Sequence, residues 1–200
     1  MTARIHPTAT IAASAVIGPR SQIWLHCQIR EHARIGEDCI LGKNVYVDTG
    51  VQIGDRCKIQ NNVSVFAGVT LEDGVFVGPH VCFTNDRVPR AINPDGSLKA
   101  AADWTITETR VCTGAAIGAN ATIVCGVTIG AWAMIGSGSV VARSVPAYAL
   151  VHGNPARRHG WVTPRGERAV FDAAGRFVGG DGFTLCLVRD AGGERVEPVG

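Results

Sequence analysis

Little in this 200-residue chain is aromatic (6%) and little is charged (18%), and the formal charges nearly cancel at +2. Both signs are scattered along the chain, so no basic stripe offers itself to nucleic acid. No apolar run approaches the roughly 20 residues needed to span a membrane. The hydrophobic share of 46% must therefore be buried within a soluble fold. "MTARIHPTAT" carries no apolar stretch of the kind a secretory leader needs, and a cytoplasmic protein is expected. The seven cysteines form no C-x-x-C pair, which argues against a zinc ribbon or a thioredoxin-type centre, and no metal is expected. Histidine is absent between Val81 and Val151.

What the chain does have is a period of six. Every sixth residue from Ile5 through Ile11, Ile17, Ile23 and onward to Phe83 is apolar. The residue two before each, from Ala3 to Val81, is small or β-branched and includes Cys27, Cys39 and Cys57. Fixed-period self-similarity marks a solenoid. Six matches neither a helix nor a plain alternating strand, but it fits a short strand plus a corner, with positions i−2 and i on the same inward face. Stacked coils about 4.8 Å apart would pair each strand in parallel with its next copy and pile the two columns into an aliphatic core. The cysteines in the inward column then read as reduced core thiols. Gly18, Gly36, Gly42, Gly54 and Gly78 follow the aliphatic position, as if the corner needed permissive backbone.

The rule breaks once. Phe83 and Val111 are twenty-eight residues apart, which is not a multiple of six, after which the period resumes in a new phase through Ile117, Ile123, Ile129, Ile135 and Val141. The insertion, about residues 84–110, contains Pro89, Pro94 and "NPDG" turn signals, with Arg87, Arg90, Asp103 and Trp104. A long loop rooted on a rigid coil is a platform for chemistry. From Thr163 the period disappears, and short apolar runs between glycine-rich turns predict a small β meander. The expected division is a β-helix over 1–162 and a C-terminal β extension over 163–200.

The pattern resembles the hexapeptide-repeat acyltransferases over roughly residues 3 to 155. That likeness implies an all-β, left-handed parallel β-helix with three hexads per coil, one inserted loop and, by way of a groove between adjacent prisms, a homotrimer. "VFVGPHVCFTNDRVPRA", "KIQNNVSVF" and "VTIGAWAMIGSGSVVARSVPAYALVHGNPARRHGW" are similar to enzymes that acetylate the 3-amino group of a nucleotide-linked amino sugar. The resemblance implies acetyl-CoA as co-substrate and a dTDP-linked acceptor over a UDP-linked one. It implies Asn85 and Asp86 at the amino sugar, with His80 and Arg90 as further substrate-binding residues. For acetyl-CoA it implies Ala119, Ser137, Ala142, Arg143 and Arg157. Without the likeness, Arg90 reads equally as a solvated loop charge, and small corner residues as ordinary packing.

The missing histidine is chemically consistent with an amine acceptor. A hydroxyl needs a base as it attacks, whereas an amine needs only to be neutral and well placed, with the departing thiolate available for the proton. Relatives commonly carry an acidic residue where this chain has Ala67, so either Asp86 takes that role or the acceptor differs. Other readings are an acyltransferase for a hydroxyl or a non-nucleotide amine, a γ-carbonic-anhydrase-like protein and a non-catalytic scaffold. The second lacks paired histidines on the later coils.

Overall fold

The computed structural model describes residues 2–190 and 193–199. Each hexad becomes a strand of two or three residues and a corner, beginning with Arg4–Ile5, Thr10–Ile11 and Val16–Ile17. In the coils before the insertion each strand pairs in parallel with the one eighteen residues on: Arg4 with Gln22, Thr10 with Gln28, Val16 with Arg34. Three hexads therefore make one coil, and three sheets form the faces of a prism. We name them A, B and C in the order the chain meets them; they hold ten, seven and six strands. The corners between them are A–B, B–C and C–A.

Both predicted columns point inward. Ser21, Cys39, Cys57, Leu41, Ile59 and Ile117 are buried, and so are their counterparts along the prism. The core begins only where a coil has neighbours on both sides, since Ile5 is 43% exposed while Ile23, one coil later, is 2% exposed. Cysteine and serine in the inner column have a local reason. The Ser21 hydroxyl donates to the Gly36 carbonyl at 2.8 Å, and the Cys27, Cys39 and Cys57 thiols donate to the carbonyls of Gly42, Gly54 and Glu72 at 2.9–3.1 Å. A small X–H group there pairs a corner carbonyl that Ala or Val would leave unpaired. All seven cysteines are free.

The corner glycines are present for another reason than permissive torsion. Left-handed backbone falls two residues further on, at Arg20, Asp38, Asn44, Arg56 and His80, with φ between 56° and 60°. Gly18, Gly36, Gly42, Gly54 and Gly78 instead lie where the next coil passes close. A Cβ on Gly18 would sit 2.5 Å from the Gly36 carbonyl carbon, and one on Gly78 would sit 2.6 Å from the Ala119 nitrogen. The glycine requirement belongs to stacking, and the αL requirement is met by residues with side chains.

Across the insertion the register jumps from eighteen to forty, as in Phe76 with Ala116 and Cys82 with Thr122. The loop thus adds twenty-two residues at the B–C corner without disturbing the ladders. It is not structureless. Ile92 and Leu98 bridge antiparallel, and Ala101–Asp103 forms a 3₁₀ turn. Ile106 lies against Gly68, where a Cβ would meet its side chain at 2.4 Å.

At the far end Ala149–His152 is followed by Arg157–Val162 and Arg168–Ala169, both antiparallel additions to sheet A. Then comes the predicted meander: Arg176–Val178, Thr184–Asp190 and Gly193–Val199 form a separate antiparallel sheet. Its Leu185 and Val196 join the same buried cluster as the prism, and Phe183 meets Tyr148 with centroids 6.1 Å apart. The extension thus plugs the last coil. No helix among the described residues is long and apolar enough to cross a membrane.

Two glycines separate the two kinds of requirement. Gly54→Ala should lose about 1–3 kcal/mol, because its methyl would be forced against the Asp73 backbone. Gly50, at φ +71° with open space around it, should accept Asn within about 0.5 kcal/mol, as Asn44 and Asn62 hold the equivalent torsion. Urea melts of the two variants give this order; the reverse order would contradict the stacking explanation.

Candidate functional site

The B–C corner holds, coil above coil, Asp48, then Phe66 and Ala67, then Thr84, Asn85 and Asp86, then Cys125 and Gly126, then Ala142 and Arg143. The insertion leaves this column at Thr84 and returns at Glu108. Its root is pinned on three sides. Thr84 Oγ1 accepts from the Cys125 N–H at 3.0 Å, the Asn85 carbonyl accepts from Thr107 N at 2.9 Å, and the Glu108 carbonyl accepts from Gly126 N at 3.1 Å. Under this cover Cys125, on a corner that would otherwise face water, is buried.

Asn85 and Asp86 are half-buried and line a cleft of about 370 Å³ with Arg90, Ala91, Lys99 and Trp104. The cleft is at the small end of ligand-pocket sizes. Asp86 Oδ1 accepts from Val88 N at 2.7 Å, which engages one of the two carboxylate oxygens. Beyond it the loop folds on itself. Lys99 N donates to the Ala91 carbonyl at 3.1 Å, and the Asp103 carboxylate accepts from Ala100 N at 2.7 Å and from the Asn93 amide at 3.1 Å. The Ala100 N–H, then the Asn93 amide, holds the Asp103 carboxyl below its ordinary range, so the brace remains ionised at neutral pH.

The structure therefore gathers three of the four expected acceptor-side residues, Asn85, Asp86 and Arg90, and adds Lys99 and Trp104. Lys99, which the sequence reading did not single out, reaches the cleft because the turn at "NPDG" folds residue 99 back on residue 91. His80 stands elsewhere. It occupies the A–B corner with φ +60°, its Nε2 3.3 Å from the Asn62 amide nitrogen.

The residues expected at acetyl-CoA also divide. Ala119 and Ser137 are on the A–B corner of adjacent coils, where Gly138 N donates to the Ala119 carbonyl at 2.8 Å. Close stacking makes this corner bare: a Cβ on Gly118 would lie 2.5 Å from Ser137 N. Ala142 and Arg143 are on the B–C corner, beside Arg157 in a depression that also includes Arg158. Among the described residues neither Arg143 nor Arg157 makes an ion pair. Arg158, which sequence reasoning did not single out, is tied at 2.9 Å to Glu194 of the meander and stacks 4.4 Å from the Trp161 ring. Cations with no acidic partner at a concave surface suit phosphate.

Comparison with known proteins bears on the fold. Residues 32–67 and 113–143 match the family model described as the hexapeptide repeat of succinyl-transferase. A 49-residue stretch is 61% identical to the dTDP-3-amino-3,6-dideoxy-alpha-D-galactopyranose 3-N-acetyltransferase of Aneurinibacillus thermoaerophilus, covering 24% of this chain and 26% of that protein. The bifunctional protein GlmU of Heliobacterium modesticaldum is 30% identical over 72% of this chain and 38% of its own length. The chain thus spans well under half the length of these relatives. Among solved structures, a mutant of the N-acyltransferase AntD from Bacillus cereus, in complex with dTDP and coenzyme A, shares the fold with a TM-score of 0.55 at 15% identity, over 82% of this chain and 84% of that one. The chain carries the hexapeptide repeat over these two segments, and its prism is a left-handed parallel β-helix of the kind that repeat builds.

The pinning of the loop root has a measurable consequence. Thr84→Val keeps the shape but leaves the buried Cys125 N–H unpaired, and should cost about 1–3 kcal/mol in a denaturant melt. A change below about 0.3 kcal/mol would mean that the root is not held through this bond.

Proposed function

We propose that the chain is an acetyl-CoA-dependent N-acetyltransferase acting on the 3-amino group of a nucleotide-linked 3-amino-deoxysugar, dTDP-linked over UDP-linked. The observation that carries the reading is the cleft at the loop root, where an amide, a carboxylate and two cations converge beside an indole. The 61% identity to a dTDP-3-amino-sugar 3-N-acetyltransferase, although confined to 49 residues, supports the same acceptor.

In this reading the Asn85 amide orients the amine, and Asp86 Oδ2 binds the sugar. Arg90 and Lys99 bind the diphosphate, whose oxygens suit a guanidinium and an ammonium. Trp104 supplies a flat apolar wall. The neutral amine attacks the thioester carbon; the C–N bond forms, the C–S bond breaks, and the proton lost by nitrogen ends on the CoA sulfur. Among the described residues no histidine of the same copy lines the cleft, and an amine acceptor requires no histidine base.

Sheet B lies between the A–B corner, with Ala119 and Ser137, and the B–C corner, with Asn85, Ala142 and Arg143. A single acetyl-CoA that uses both sets takes one corner from each of two adjacent prisms. We therefore assign a homotrimer, with three sites between copies. His80, on the A–B corner one coil below Ala119, then enters the site from the neighbouring copy. Use of acetyl-CoA and seven free thiols support a cytoplasmic setting for this reaction.

Thiol release from acetyl-CoA, measured against dTDP- and UDP-linked 3-amino sugars, tests this directly. Turnover is expected with a dTDP-linked 3-amino sugar and not with its 3-hydroxy counterpart. Lys99→Ala should raise the acceptor KM about tenfold without altering that for acetyl-CoA. Acetyl-CoA binding with no turnover on any amino sugar would remove the proposed acceptor class.

A further inference from the structure

Resting on the proposed amine acceptor, we infer that Asp48, which lies outside the loop and the cleft lining, supplies the anionic oxygen that faces the acceptor nitrogen. Asp48 is on the B–C corner, in the coil beneath Phe66 and Ala67 and two coils beneath Asn85. Its side chain points up the column, and Oδ2 accepts from the Ala67 N–H at 3.2 Å. Oδ1 is fixed by the Tyr46 hydroxyl at 2.9 Å and by Thr49 N at 2.8 Å. The Tyr46 ring is in turn set edge-on to Phe66, with centroids 5.8 Å apart. The carboxylate is therefore half-buried and held in one orientation.

Its charge is less well served than its geometry. Among the described residues no Lys, Arg or His makes an ion pair with Asp48. The nearest cation in its network, Arg30, contacts the Tyr46 hydroxyl at 3.4 Å and is itself paired with Glu31 at 2.8 Å. Of the other carboxylates on this edge, Glu31 belongs to Arg30, and Asp86 has one oxygen in its own turn. A rigid carboxylate without a cation, next to the bare methyl of Ala67, favours a ligand group that brings N–H donors or positive charge.

The spacing fits a nitrogen. Oδ2 reaches the level of Ala67, and Asn85 lies one coil higher, about 4.8 Å away. A group hydrogen-bonded to both at about 2.8 Å bridges that gap. An amine gives one N–H to Asp48, keeps contact with Asn85 and turns its lone pair to the thioester. As the C–N bond forms, nitrogen becomes positive, and the carboxylate stabilises that charge until the proton leaves with the thiol as the C–S bond breaks. A hydroxyl, with one hydrogen and no positive stage of comparable lifetime, gains less. Asp48 thus sets the preference for an amine.

The test uses the full chain and the amino sugar that the wild type acetylates. Asp48→Asn, nearly isosteric, should lower kcat/KM about 10- to 100-fold with the Kd for acetyl-CoA unchanged. The double variant Asp48→Ala with Ala67→Asp should recover most of that loss, because a carboxylate from position 67 enters the same space. An effect under about threefold in Asp48→Asn would overturn the inference, as would a loss that the double variant fails to recover. Either result leaves the amino-sugar reaction standing. A wild type inert on every amino sugar defeats that reaction first, and this inference with it.

Discussion

Every coil must carry the next at about 4.8 Å, backbone hydrogen bond on backbone hydrogen bond, and the rest of the molecule depends on that repeat distance. It makes one position of several hexads glycine, because a Cβ there would fall inside the neighbouring coil. It makes the core a set of columns in which like residues stack, so that Cys39 and Cys57 occupy equivalent places and bond equivalent corner carbonyls. It also turns a large insertion into a local event. The chain can leave the prism at Thr84 and return at Glu108 because the ladders on both sides already fix where those ends must be.

The same repeat explains what could be read from the sequence. Period-six columns from Ile5 to Phe83 and from Val111 to Val141 specify strands, inward faces and an interrupted prism, and all of these are present. The glycines were legible as corner residues but not in their cause. The close contact is made with a coil eighteen residues away, whereas the left-handed torsion passes to residues such as Arg20 and His80, where composition gives no hint of it. His80 shows a related limit. It is near "TND" in sequence, yet one strand of sheet B separates its corner from theirs, and in a prism neighbours along the chain occupy different edges. Asp48 shows the converse, being far from Asn85 in sequence and on the same edge in space.

Placement of chemistry on edges gives the proposed enzyme its form. The acceptor cleft grows from the B–C corner, where the insertion supplies Arg90, Lys99 and Trp104 above a rigid Asn85. The bare A–B corner offers backbone and small side chains at Ala119 and Ser137. The C-terminal meander, besides closing the core at Leu185, fixes Arg158 through Glu194 beside Arg143 and Arg157. In the proposed trimer each face of sheet B is flanked by half of one site and half of another, so catalysis and assembly become one requirement.

That requirement is tested most directly by complementation. Asn85→Ala damages only the B–C half, and Ser137→Arg blocks only the A–B half. Each variant alone should be nearly inactive, whereas trimers co-assembled from equal amounts should recover about a quarter of wild-type thiol release, because one interface in four unites two intact halves. Mixed trimers as inactive as either parent would contradict a site formed between copies of the chain.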